Sequence, residues 1–300
     1  MTGVVCLTGC DSGIGYLTAV AFHRRGWTVY ATGLAPAETD LPERGIETRR
    51  LDVTDPADAD RVLADIESAH GRLDCLVNVA GVGHTAALEA TTPDDLQELL
   101  EVNVVGTHRV TRAALPLLRA GETAGGNAGR VVTISSVVGR YALPGLGGYS
   151  ASKHGLEGLS DALRWEVTTD DVRVILVEPP TTRTGFVDRM EGDLAALLST
   201  EGNDSGGVEE SGAGEDRRDV GRYDRLYRML DWWIPRLADY GASPADVART
   251  VVTATETSNP RTRYPVGAQG WLLALGSHLP GRLRDLGWRG ATWVAERDWL

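Results

Sequence analysis

The segment YSASKHG, Tyr149 to Gly155, holds the one lysine of a 300-residue chain that otherwise carries 29 arginines. In a helix, Tyr149 and Lys153 stand at i and i+4 and share a face. A tyrosine titrates near about 10 and is a poor base at neutral pH. A neighbouring ammonium favours its phenolate, while the neutral hydroxyl remains able to act as an acid in the reverse direction. A compact ammonium on a flexible stem suits this task and a ribose hydroxyl together, which a planar guanidinium does not. The competing reading of such a pair is a surface cation–aromatic contact. Ser135 and Ser136 end the preceding run RVVTISS. A hydroxyl there would orient a carbonyl or cap the strand. Asn103 interrupts the apolar helical stretch LEVNVVG. A buried asparagine must satisfy its amide, so it either holds a water or backbone carbonyl beside the site or serves as a kink or interhelix bond.

At the amino-terminal end, VVCLTGCDSGIG places Gly9, Gly13 and Gly15 between a strand and a helix. Glycines allow close ligand approach, and a helix amino terminus offers free N–H groups to a pyrophosphate. Asp11, Ser12 and Ile14 share the loop. It lacks a Walker lysine, which favours dinucleotide over ATP chemistry. An Asp or Glu ending the second strand would bind a ribose 2′-hydroxyl, and an Arg there a 2′-phosphate. VYATGLAPAETD offers Thr32, Gly33 and Leu34 instead. Asp11 would repel an additional phosphate, so the cofactor reading is NAD or NADP with NAD favoured; Arg24 and Arg25 are expected to face solvent. Asp52, in RLDV, would accept from an adenine amino group or cap a turn.

The elements that must position these groups alternate. GVVCLT, WTVYAT, GIETRRLDV, LDCLVNVAG, RVVTISS and DVRVILVEP read as strands. Helices are expected near Ile14–Arg25, Pro56–His70, Pro93–Arg119 and from Tyr149 onward. Continuously apolar strands fit a sheet covered on both faces. The fold class is therefore α/β, a doubly wound, mostly parallel Rossmann-like sheet. One domain is expected over 1–300, with a carboxyl-terminal substrate lid over 185–240 and a mobile acidic insertion at 199–221. Ser243 and Pro244 read as a helix start, and RYPVG as a final edge strand. WLLALGSHLPG, beginning at Trp271, is expected to be a buried helix or subunit contact rather than a membrane-surface element. Trp271, Trp288, Trp293 and Trp299 make the tail rich in aromatic surface.

A formal charge of −12 argues against a nucleic-acid partner. Three cysteines are too few for a disulfide framework. No stretch reaches the length of an integral membrane span. MTGVVCLTG does not read as a secretory leader, and the expected location is cytoplasmic. HRVTR lacks the HExxH metal pattern, and no Ser-His-Asp arrangement has better support.

Taken together these motifs strongly resemble the short-chain dehydrogenase/reductase family over roughly Val4 to Thr184. TGCDSGIG resembles its cofactor loop, LDV its adenine-side Asp52 with Val53, and Asn78 to Gly81 its NNAG run, with Val79 in place of the second asparagine. The resemblance implies a catalytic set of Asn103, Ser136, Tyr149 and Lys153, Ser136 lying thirteen residues before Tyr149. It further implies cofactor contacts from Ala80, Gly81, Pro179 and Thr184, with Pro180 replacing a glycine of the family's loop. The implied reaction is hydride transfer between nicotinamide and a small-molecule alcohol or carbonyl. Tyr149 transfers the proton, Ser136 holds the oxygen, Lys153 binds ribose and lowers the tyrosine pKa, and Asn103 positions a relay water. The CDSG loop also resembles retinol and hydroxysteroid dehydrogenases, which implies a bulky apolar substrate. Met190, Leu194, Tyr223, Tyr227, Trp232 and Trp233 are the candidates to line its pocket. A homodimer or homotetramer is expected from the family. Two alternatives stand beside this reading: a nucleotide-binding regulatory or structural protein without turnover, and an epimerase or dehydratase using bound NAD.

Overall fold

The computed structural model describes residues 3–122, 129–199 and 220–297. Seven strands form one sheet: β1 (Val4–Leu7), β2 (Thr28–Gly33), β3 (Glu47–Arg50), β4 (Cys75–Asn78), β5 (Arg130–Ile134), β6 (Arg173–Glu178) and β7 (Arg263–Pro265). Their order is β3-β2-β1-β4-β5-β6-β7, and every neighbouring pair is parallel. The chain winds outward from β1 in one direction and from β4 in the other. The loops after these two strands therefore part and leave a crevice at the carboxyl edge.

Strand residues alternate between two packed faces. Val5, Leu7, Val29, Ala31, Val77, Val132 and Val177 meet α1 (Gly13–Arg24) and α8 (Pro244–Glu256) through Phe22, Val247 and Val251. Val4, Cys6, Tyr30, Leu76, Val131 and Val174 meet α2 (Pro56–His70) and α4 (Thr107–Arg119) through Val62, Ile66, Val110 and Leu118. This is why the strands lack an apolar–polar alternation: both faces are covered.

Local chemistry sets the helix starts. Asp55 accepts from Ala57 N before α2, with Pro56 in the first turn. Thr92 and Asp95 form a capping box at α3 (Pro93–Leu100), and Ser243 with Asp246 forms another at α8, each followed by a proline. α5 (Gly147–Glu166) follows β5. α6 (Gly185–Ser199) and α7 (Asp224–Asp239) pack together over Ala87 and Leu146. α9 (Gly267–Gly276) and α10 (Gly281–Arg297) complete the chain.

Two expected elements differ from what forms. The third strand ends at Arg50; Leu51 N still donates to Gly33 O at 2.7 Å, and the chain then turns at Val53 and Thr54 before the Asp55 cap. The helix expected over Pro93–Arg119 is interrupted by a π-helical turn, Glu101–Gly106, that carries Asn103. Of the acidic insertion expected at 199–221, residues 200–219 lie outside the described residues, as does Trp299. Among the described residues no helix is long and apolar enough to cross a membrane.

Candidate active site

The crevice between β1 and β4 is closed at its base by Thr8. Its hydroxyl accepts from Val79 N at 3.0 Å and Ala80 N at 3.1 Å, tying the two diverging loops together. Gly9 follows with φ 69°, and a Cβ there would stand 2.8 Å from the Ala80 backbone. Only glycine accepts both that conformation and that approach. A Cβ on Gly15 would fall 2.0 Å from the Gly9 carbonyl oxygen. Ser12 precedes α1 without a side-chain cap bond, so the first-turn amides are not capped by it. Gly13 and Thr184 are also brought together, the threonine methyl lying 3.3 Å from where a Gly13 Cβ would sit. Ile14, by contrast, is partly buried against the α1 core.

Asp11 reaches across to the end of β2. Its carboxylate accepts from Ala35 N at 2.7 Å and Leu34 N at 3.2 Å, and leaves no room for a side chain on Gly33. The acidic group that the end of β2 lacks in sequence is thus supplied from the glycine loop. Arg24 and Arg25 face solvent as expected, and Arg25 pairs with Glu256 on α8. Asp52 takes the turn-capping role, accepting from Thr54 N at 2.9 Å and Thr54 Oγ1 at 2.7 Å. Val53 is buried, and its carbonyl accepts from Arg109. Asn78 points into the core, where its amide donates to Thr111 Oγ1 at 2.9 Å and Thr133 Oγ1 at 3.4 Å, tying β4 to α4 and β5.

The four residues read as catalytic converge beside Gly81. A Cβ on Gly81 would lie 3.0 Å from Asn103 Oδ1 and 3.8 Å from Lys153 Nζ. Asn103 is fully buried in its π-turn. Its Oδ1 accepts from Val82 N at 2.8 Å, and its Nδ2 donates to Val82 O and to Ser152 Oγ, both at 2.9 Å. The backbone-carbonyl and interhelix roles open to this residue in the sequence are both realised. Val82 and Ser152, its partners, are the residues that the sequence reading did not single out. Ser152 sits inside the YSASK run and donates onward to Tyr149 O at 2.8 Å.

Lys153 is 5% exposed, donates to Ile134 O at 3.0 Å, and lies 5.6 Å from the Tyr149 ring centroid. Ser136 caps the tight turn Val137–Gly139 by accepting from Val138 N at 3.3 Å, and its hydroxyl donates to Pro179 O at 3.3 Å. Tyr149 is pushed well above the usual tyrosine range by desolvation, against which a hydrogen bond with Ser136 works. Desolvation also lowers Lys153 to about 8, opposed by the negative charge of Glu157 one turn along α5.

Three of the six residues expected to line a substrate wall are packed into a helix–helix contact. Met190, Leu194 and Tyr227 are buried in the α6–α7 core, and Tyr227 Oη accepts from Ala87 N at 3.2 Å. Tyr223 donates to Glu89, while Trp232 lies edge-on to Trp233 and under Arg236. Helical spacing cannot separate a pocket lining from a helix–helix contact, and here α6 and α7 use these side chains on each other. A cleft of about 190 Å³ opens instead beside Val82, between α3 and α6, with His84, Asp95, Glu98, Arg189 and Asp193 on its walls.

Lys153 carries a pH signature. Its folded value lies below the ordinary 10.5, so between the two values the unfolded chain keeps a proton that the folded chain has lost. The cost of the buried ammonium is then fully present below about 8 and fades as pH rises toward about 10.5. In urea unfolding of the wild type and Lys153→Met, the wild type should gain on the variant by up to about 3 kcal/mol between about pH 7 and about pH 10. A stability difference that does not change with pH would contradict a desolvated ammonium at this position.

Comparison with known proteins bears on the same residues. The short chain dehydrogenase family profile matches residues 3–194. Mouse retinol dehydrogenase 5 is 35% identical over 305 residues, spanning 98% of this chain and 89% of that protein. Bovine mitochondrial D-beta-hydroxybutyrate dehydrogenase is 31% identical over 305 residues, spanning 94% and 82%. Among solved structures, a short-chain dehydrogenase from Streptomyces avermitilis superposes with a TM-score of 0.69 at 29% identity, covering 99% of this chain and 98% of its own. A short chain dehydrogenase from Burkholderia cenocepacia in complex with NADP shares the fold, with a TM-score of 0.68 at 22% identity over 96% and 97% of the chains. With the glycine loop, the all-parallel sheet and the Tyr149–Lys153 pair in their places, the chain belongs to the short-chain dehydrogenase/reductase family and is an oxidoreductase.

Proposed function

We propose that this enzyme moves a hydride between a nicotinamide dinucleotide, NAD in preference to NADP, and the carbon of a secondary alcohol or ketone, with Tyr149 transferring the oxygen-bound proton. The observation that carries the reading is the meeting of Ser136, Tyr149, Lys153 and Asn103 next to Gly81, at the carboxyl edge where the β1 and β4 loops part. The cradle fits a dinucleotide: side chains are excluded at Gly9 and Gly15, and Gly13 faces Thr184. Gly9 to Gly15 would take the pyrophosphate at the start of α1, with Gly81 and Lys153 toward the nicotinamide ribose. A nicotinamide bound there supplies or accepts the hydride.

The chain's own groups handle the proton and the oxygen. Tyr149, kept neutral by desolvation, is a hydroxyl able to give its proton to a ketone oxygen. In the oxidative direction it must become phenolate, and the Ser136 hydroxyl and Lys153 ammonium are the groups near enough to favour that form. Ser136 is also placed to hold the substrate oxygen. Asn103 keeps Val82 and Ser152 in register around them. The closed packing of Met190, Leu194 and Tyr227 gives no support for a bulky apolar pocket at those residues, so the substrate reading stays with secondary alcohols and carbonyls.

With turnover followed by nicotinamide absorbance over a panel of alcohols and ketones, Tyr149→Phe should lose about a thousandfold or more in kcat while binding cofactor as the wild type does. Retained turnover in that variant would remove Tyr149 from the proton transfer. Asp11 supports the NAD preference, since its carboxylate occupies the end of β2 where a 2′-phosphate would bring further negative charge. Asp11→Asn keeps an oxygen for the shorter bond from Ala35 N, gives up the one from Leu34 N, and removes the charge. It should shift the NADP-to-NAD ratio of kcat/KM by about tenfold toward NADP. An unchanged ratio would assign the preference elsewhere.

A further inference from the structure

The helix expected at WLLALGSHLPG as a buried or subunit-contact element forms with much of its apolar face exposed, although Arg261 lies over the Trp271 ring. α9 turns Gly270 and Ala274 inward and leaves Trp271, Leu272 and Leu275 between 47 and 70% exposed. α10 repeats the arrangement. Leu283, Leu286, Trp293 and Val294 are between 40 and 63% exposed. At the pitch of an α-helix they fall within an arc of about 100°. Arg282 and Arg289, both exposed, lie to one side of that arc. Arg284 and Trp288 point the other way, where the indole stacks on Tyr141 at 5.7 Å and the guanidinium lies 5.9 Å from the same ring. α10 is thus held by one face and presents an apolar stripe beside a basic flank.

The charge of the segment differs from that of the rest of the chain. α9 and α10, residues 267–297, contain four arginines against one aspartate and one glutamate, a balance of +2, against −12 for the whole sequence and therefore −14 for the remainder. We propose that α9 and α10 form a docking surface for an anionic lipid membrane, with the exposed tryptophans and leucines entering the interface and the arginines meeting the headgroups. Neither helix is long and apolar enough to cross a membrane, so the protein lies on the surface. The charge decides between the two occupants an apolar stripe could have. A second copy joined through this face would bring two +2 segments together, whereas anionic headgroups complement them. Tryptophan at the stripe's ends fits a polar–apolar boundary. The proposal stands independently of the reaction assigned above.

The full chain should be sedimented with vesicles of phosphatidylcholine alone and of equal parts phosphatidylcholine and phosphatidylglycerol. Binding to the anionic vesicles should exceed binding to the neutral ones by about tenfold or more and weaken with added salt. The double variant Leu272→Glu/Leu286→Glu should lose about tenfold or more of that binding with its melting temperature kept, both side chains being exposed. Should that variant fold poorly, Arg282→Glu/Arg289→Glu, which leaves the stripe intact, should lose the preference for anionic over neutral vesicles. No binding to anionic vesicles, or equal binding by wild type and variants, overturns the proposal. So does light scattering that finds a dimer which the leucine variant dissolves, since that gives the face to a second copy.

Discussion

One side chain sets the spacing of the reaction end. Asn103 grips Val82 through both its N–H and its carbonyl, and with its remaining amide hydrogen it holds Ser152. These partners lie 21 and 49 residues away in sequence. The grip joins the loop after β4, the π-turn between α3 and α4, and the first turns of α5. Each such bond contributes about 1 kcal/mol net, but losing one partner strands a buried polar group at about 1–3 kcal/mol. The cost of displacement, more than the gain of formation, keeps Gly81, Tyr149 and Lys153 in mutual reach. A π-turn suits this task, since the extra residue it inserts turns a helical side chain away from its regular direction.

The electrostatics follow from that closeness. Lys153 is buried against Ile134 O and beneath the tyrosine ring, so its ammonium is held at a cost. In a chain with 29 arginines, this is the one position with a lysine, and a lysine is the base whose charge burial can bring within reach of physiological pH. At the other end of the crevice, Asp11 reaches from the glycine loop to the end of β2. Gly33 has no side chain because Asp11 occupies its space. There a residue from a neighbouring element fills the space that a local side chain would take.

That substitution of distant for local groups marks where sequence reasoning holds and where it stops. The glycine loop, the helix caps at Ser243 and the Tyr149–Lys153 pair were legible because their geometry is fixed within a few residues. Apolar runs on both faces of each strand were enough to read the covered parallel sheet. The partners of Asn103 were not legible, because strand order and loop path decide them. Asp52 had two readings of equal local merit, and Thr54 two residues later engages one of its oxygens, Oδ1. Met190, Leu194 and Tyr227 were read as a pocket, since periodicity reports an apolar face without reporting what fills it. The same limit applies to α9, expected as a buried helix or subunit contact: its apolar residues are visible in the sequence, but not that Leu272 and Leu275 stay largely exposed in the described chain.

The central claim, hydride transfer to a carbonyl carbon at the edge between β1 and β4, is tested most directly by isotope tracing. A ketone turned over in ordinary water with NADH deuterated at the transferable C4 position should yield an alcohol with deuterium on its carbinol carbon. The same reaction with unlabelled NADH in deuterated water should leave that carbon free of label, only the exchangeable oxygen-bound proton coming from solvent through Tyr149. Product labelled at carbon from solvent and not from NADH would contradict the account.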